Sequence, residues 1–362
     1  VSVLGRMGQG CACLQGLGVF SATLLPHPPV DEPLESPQSD AATSSAVLGG
    51  TLATEQANSR CLVSGAEDGD LRLWDLSSGN CLQVLSGHTS WILAVAVDAT
   101  GRNALTASSD KTLRRWDLHE FECRGVLGGH TGGVHAVSAD VTLCRAVSGS
   151  ADKTLRVWDV DKNECVGTME GHGATVWSVS ACFSSQRIVS GSQDNTLRVW
   201  DLSQLVVLHV LQCLGGGVLA VDACFRIRGA EGVTEGAITG STDHLVSVWD
   251  LQSGARTGSM DGHTGLIWAV SADFDRMRAV SASYDKTLRL WDIQALLCLR
   301  VFSGHLGGIL SVAVTLDRTL AVSGARDGTL RAWRLDDESA DACVFTVGSQ
   351  SSKPVWCVAI AG

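Results

Sequence analysis

Residues 129–159 read GHTGGVHAVSADVTLCRAVSGSADKTLRVWD, and this stretch decides the fold. Its short runs of alternating apolar and small residues, bounded by Gly, Ser and Asp, read as strands and not helices. The pattern returns along the chain. A tryptophan followed by an acid stands at Trp74, Trp116, Trp158, Trp200, Trp249 and Trp291, and a seventh, Trp333, precedes Arg334. The intervals are 42, 42, 42, 49, 42 and 42 residues. A Gly-His pair lies 28 residues before five of these tryptophans, at His88, His130, His172, His263 and His305. A fixed period of this length marks a repeat architecture, and 42 residues hold four strands. The body of the chain is all β.

Composition agrees with that reading. Forty glycines against six prolines supply many turns, and 45% hydrophobic residues supply a core. The formal charge of −11 excludes a nucleic-acid binder that neutralises phosphates through a basic face. No apolar run approaches the roughly 18–20 residues of a membrane-spanning helix. The chain begins at Val1, as a fragment or a processed form does.

Five of the six prolines, Pro26, Pro28, Pro29, Pro33 and Pro37, fall in one stretch beside acids and a Ser/Ala/Thr run. Residues 1–58 therefore read as a disordered, low-complexity tail or linker, and residues 59–362 as the repeat domain. Gly10 to Leu25 is mildly apolar, like the remnant of a signal peptide, but lacks a clean cleavage site. A start at Met7 would instead present Gly8 for myristoylation and Cys11 and Cys13 for palmitoylation. That pattern wants Ser or Thr where Ala12 stands.

The Gly-His pair, the Ser/Thr-x-Ser-x-Asp turn and the Thr-Leu-Arg-x-Trp-Asp strand resemble the WD-repeat (WD40) β-propeller family. The resemblance covers residues 59–362 and implies blades of four antiparallel strands, the first lining a central channel. It also implies a buried relay in each blade: the indole N–H donates to a hydroxyl, the hydroxyl meets the imidazole, and the imidazole donates to the turn carboxylate. The sets are His88/Thr106/Asp110/Trp116, His130/Ser148/Asp152/Trp158, His172/Ser190/Asp194/Trp200, His263/Ser281/Asp285/Trp291 and His305/Ser323/Asp327/Trp333. The fifth unit has Leu214 for the histidine and keeps Thr239, Asp243 and Trp249; the first keeps Ser64, Asp68 and Trp74. The first unit also lacks a first strand, while Val355 to Ile360 matches Ile267 to Ala272 and has no unit of its own. The C-terminal strand is thus expected to close a seven-bladed ring by joining the first blade, with Ser351 at the histidine position. The seven extra residues before Trp249, around Gly229 to Gly236, read as a solvated loop on the opposite face.

Ser, His and Asp together invite a hydrolase reading. Here the trio recurs five times, each tied to a tryptophan, with no Gly-x-Ser-x-Gly elbow, so a structural role is preferred. Cys81, Cys123, Cys165 and Cys298 each lie seven residues after a repeat tryptophan. At equivalent places on diverging strands they are too far apart for disulfides and read as small fillers in a reducing compartment. No metal or cofactor is expected. Arg72, Arg114, Arg156, Arg198, Arg289 and Arg331, two before their tryptophans, are expected to pair with neighbouring carboxylates.

Two rim positions open onto the top of the channel in this family. The first reads Leu93, His135, Trp177, Leu219, Trp268, Leu310 and Trp356; the second reads Glu67, Ser109, Ala151, Gln193, Thr242, Tyr284 and Arg326. Family members that hold phosphopeptides carry arginines at both, and those that read a histone arginine carry facing aromatics. Here only Arg326 is basic, and the aromatics are not paired across adjacent blades. What remains is an aromatic top face, with Trp91, His135, Trp177, Trp268, Tyr284, Arg326 and Trp356 as partner-binding residues. The expected function is a non-catalytic scaffold, cytoplasmic or nuclear, docking a protein or peptide. The alternative is the recognition module of a larger enzyme assembly, a ubiquitin-ligase receptor or signalling ATPase, of which this chain is a fragment.

Overall fold

Within each unit, alternating apolar and small side chains make extended segments, and Gly, Asp and Ser supply the turns between them. The computed structural model describes residues 20–21 and 61–360, apart from 141, 214, 230–231, 316, 318, 337–342 and 349–352. In the third unit Val134–Ala139, Arg145–Ser150, Leu155–Asp159 and Glu164–Met169 pair antiparallel in that order. The first of these is buried along its length, and the fourth is largely exposed. The described residues form seven sheets built on this four-strand plan. Their innermost strands are Val355–Ile360, Ile92–Val97, Val134–Ala139, Val176–Cys182, Val218–Gly229, Ile267–Asp273 and Ile309–Val314, for blades one to seven. This is a seven-bladed propeller.

The apolar cores lie between blades rather than within them. One joins Ala136, Val147 and Leu155 of blade three to Val176, Ile188 and Trp200 of blade four. Such packing needs a small residue where one blade's second strand meets the next blade's innermost strand. Gly149 meets that need, because a Cβ there would lie 2.7 Å from Val176 Cγ1.

Ring closure uses the C-terminal strand. Val355–Ile360 pairs antiparallel with Cys61–Ala66, with Ile360 opposite Leu62 and Cys357 opposite Gly65. The seam between blades seven and one is an ordinary interblade core holding Trp74, Val322, Leu330, Val355 and Val358. Every blade thus has both faces covered by its neighbours.

Two details depart from expectation. The extra residues of blade five extend a hairpin, with Ile227 opposite Thr234 and Gly229 opposite Gly232, instead of forming an unpaired loop. Within the segment read as a tail, Phe20–Ser21 adds a short strand to the inner edge of blade two, opposite Val95 and Ala94. The rest of residues 1–60, with Gly8, Cys11 and Cys13, lies outside the described residues, as do Leu214 and Ser351.

Candidate functional site

The top face is built on the blade relay. Trp158 Nε1 donates to Ser148 Oγ at 2.8 Å, His130 Nε2 meets the same oxygen at 2.8 Å, and His130 Nδ1 meets Asp152 Oδ2 at 2.7 Å. An ionised carboxylate only accepts, so Nδ1 carries the proton and Nε2 accepts from the hydroxyl. The Thr131 amide also donates to Asp152, at 2.9 Å, which pins the Gly-His turn to the aspartate turn. Burial alone would raise the Asp152 carboxyl, yet the bonds from His130, Thr154 and Thr131 hold it well below the usual carboxylate range. The glycine before the histidine has its own reason. Gly129 has φ +150°, and a Cβ there would meet the Arg156 guanidinium at 2.9 Å.

His88 with Thr106, Asp110 and Trp116 shares this geometry, as do His172 with Ser190, Asp194 and Trp200. It recurs in His263, Ser281, Asp285 and Trp291, and in His305, Ser323, Asp327 and Trp333. Each hydroxyl is fully buried between an indole and an imidazole. No nucleophile faces solvent there. In blade five Trp249 still donates to Thr239, at 2.9 Å. Blade one substitutes an arginine for the imidazole: Arg72, 4% exposed, donates to both Asp68 oxygens at 3.1 and 2.7 Å.

Among the described residues that arrangement is particular to Arg72. In four other blades the equivalent guanidinium approaches a thiol of the outer strand, not a carboxylate. Arg114 Nη1 lies 3.7 Å from Cys123 Sγ, Arg156 3.5 Å from Cys165, Arg289 3.8 Å from Cys298 and Arg331 4.0 Å from Cys343. Arg198 and Arg289 also lie 5.9 Å from their blade's tryptophan ring. The reason is geometric: the aspartate is already engaged by histidine, so the arginine lies flat along its strand. Cys123 and Cys165 are exposed, and so are not core fillers.

The rim residues divide into two groups. Trp177, Trp268 and Trp356 are 3, 5 and 5% exposed and join Leu93, Leu219 and Leu310 in one cluster that fills the channel mouth. His135, also buried, meets the Trp177 ring edge-on at 4.6 Å. Burial drives the His135 imidazole down to about 4. These four side chains were expected on the exposed face. They are interior because seven equivalent positions converge on one axis. Aromatics also do pair across blades: Trp91 stacks on Trp356 at 5.6 Å with planes 10° apart. Tyr284 and Arg326 make up the second group and are exposed, with Arg326 Nη1 donating to Tyr284 Oη at 2.6 Å. Beside them Leu306 is 81% exposed, on the turn whose amide donates to Asp327. Leu306 was not among the residues expected on this face. Its signal was the residue after the Gly-His pair, which is Thr89, Thr131, Gly173 and Thr264 in the other blades.

Comparisons with known proteins fit this geometry. The WD domain, G-beta repeat pattern matches residues 55–75, 79–117, 121–159, 163–201, 254–292 and 296–334. The unmatched stretch between the fourth and fifth matches holds the outer strand of blade four and the three inner strands of blade five, the blade that lacks the histidine and carries the longer hairpin. Nuclear distribution protein PAC1-2 of Uncinocarpus reesii is 44% identical over 45 residues, 12% of this chain and 10% of that protein. WD repeat-containing protein 86 of Homo sapiens is 40% identical over 52 residues, 14% of each chain. CCR4-associated factor 4 homolog of Vanderwaltozyma polyspora is 42% identical over 50 residues, 14% of this chain and 8% of that protein. Each match spans about one repeat unit, a small part of the relative's length. Matched over more than half its length and folded as seven blades pinned by indole–hydroxyl bonds, the chain belongs to the WD domain, G-beta repeat family.

Proposed function

We propose that this propeller is a non-catalytic scaffold that docks a protein or peptide on its top face, over the sector of blades six and seven. The observation that carries the reading is the exposed trio of Tyr284, Leu306 and Arg326. It combines an aromatic ring, an aliphatic side chain and a guanidinium on turns held by the half-buried carboxylates of Asp285 and Asp327. Rigid aromatic and arginine side chains give large contact area at small entropic cost. Trp91, half-buried on its stack with Trp356, extends the surface toward the channel mouth. There the indole N–H groups of Trp268 and Trp356 are buried and have no acceptor among the described residues. His135, Trp177, Trp268 and Trp356 act from beneath, as the floor of the site.

The test compares proteins retained by the intact chain with those retained by a Tyr284→Ala, Leu306→Ser, Arg326→Ala triple variant. The expected result is loss of specific partners with an unchanged melting temperature, because all three side chains are exposed. An identical set of partners would reject this face. Trp177→Ala and Trp268→Ala are unsuitable probes, since truncating a buried tryptophan costs about 3–5 kcal/mol of stability.

A further inference from the structure

Neighbouring blades are tied at their innermost strands by one recurring bond. Ser138 Oγ accepts from the Ala181 amide at 3.1 Å, Ser180 Oγ from Ala223 at 3.2 Å, and Asp222 Oδ2 from Ala272 at 2.9 Å. Ser271 holds the corresponding place in blade six, three residues after Trp268, and its donor would be the Val314 amide of blade seven. That bond is absent among the described residues. Ser271 is 3% exposed, makes no side-chain hydrogen bond among them, and lines a cleft of about 230 Å³ between the two blades. The cleft opens on the face opposite the Gly-His turns.

The walls of the cleft state what would fill it. Ala279, Val280, Leu290, Val314 and Leu335 make an apolar seat. Arg276 spans the two blades, lying 3.6 Å from Asp273 and donating to the Asp317 carbonyl at 3.3 Å, so its charge is committed. Asp317 accepts from the hydroxyl and amide of Thr319. Two opposite charges remain on the rim: Arg278 on blade six and Asp336 on blade seven, both exposed and without an ion-pair partner among the described residues. An apolar seat between a cation and an anion that make no ion pair with any other described residue, with a buried hydroxyl able to donate and accept, matches one chemistry.

We infer that this cleft is a second peptide-binding site. It takes a large aliphatic side chain from an extended segment that carries an acid on one side of that residue and a base on the other. The acid meets Arg278, the base meets Asp336, and the peptide backbone satisfies Ser271. The site shares no residue with the top face and does not depend on the reading given for it.

The test uses the full chain with isotope-labelled Leu and Val methyl groups. Two capped pentapeptides, Gly-Glu-Leu-Lys-Gly and its order-reversed Gly-Lys-Leu-Glu-Gly, are titrated to millimolar concentration. One order is expected to shift the methyls of Val280, Leu290, Val314 and Leu335. Replacing its leucine by alanine should weaken binding by about tenfold, the scale of one buried aliphatic side chain. In an Arg278→Glu, Asp336→Lys protein, whose changes lie at exposed positions, the preference between the two orders should invert. The inference is overturned if neither peptide moves these methyls, if the alanine peptide binds equally well, or if the charge-reversed protein keeps the original preference.

Discussion

One hydroxyl serves two partners in each complete blade. Ser148 takes the Trp158 N–H and offers its own proton to His130, both inside the fold. Ser148→Ala leaves a buried donor and a buried acceptor unpaired, at a cost of about 2–4 kcal/mol. Ser148→Thr should cost far less, because Thr106 and Thr239 already accept from an indole in blades two and five. Chemical denaturation of the two variants checks the contrast, and equal losses would mean that volume rather than bonding governs the site. His135 is the complementary case. Its folded imidazole is held near 4 by burial, whereas an unfolded one titrates near ~6.5. The unfolded state therefore binds the proton first. Stability attached to neutral His135 is fully present above ~6.5 and is lost as pH falls toward 4, by on the order of 3 kcal/mol. His135→Leu fits a position that already holds Leu93, Leu219 and Leu310 in other blades, and it should make the stability curve shallower across that range. An unchanged slope would place the imidazole in contact with solvent.

At the scale of the element, strand order and ring closure were legible because each unit repeats its own turn chemistry. The relay followed from the resemblance that the tryptophan-to-histidine spacing carries, and the seam from the spare strand at Val355. Less legible was depth. Sequence places Trp177 and Trp268 at the top end of an innermost strand, but only the narrowing of the ring buries them. The same limit hid the arginines, whose partners depend on which group the aspartate has already bound. The seam strand can be followed by chemistry. Cys357 on that strand is fully buried, and burial pushes its thiol up to about 12, while Cys123 and Cys165 are exposed. Under native conditions alkylation should mark Cys123 and Cys165 quickly and reach Cys357 only when the strand leaves blade one. Comparable rates would place the strand elsewhere. Truncation before Val355 should expose the edge of Cys61–Ala66 and the neighbouring core, giving an aggregating product. A soluble truncation that melts cooperatively would contradict the seam.

For the whole molecule, closure makes the starting point of the chain arbitrary. Blade one is assembled from both ends of the repeat domain, yet its strands pair like those of every other blade. Joining Gly362 directly to Cys61 leaves three residues, Ala361, Gly362 and Cys61, between the paired Ile360 and Leu62. That is a hairpin loop of common length with a glycine in it. New ends can be opened between Gly215 and Gly216, in one of the two interblade connections that have no Gly-His histidine to anchor them, the other being the seam itself. The rearranged chain omits residues 1–60, and among the described residues that removes the Phe20–Ser21 strand, which pairs with blade two and lies against the innermost strands of other blades. If residues 59–362 form an independent domain, this permuted protein should be soluble and unfold in one cooperative step. Its melting temperature should lie within a few degrees of the parent's, because every interblade core is retained and only loop closure has moved. A permuted chain that is insoluble, or that loses blade one in a separate early transition, would show that the N-terminal segment or the original connection is needed to hold the ring.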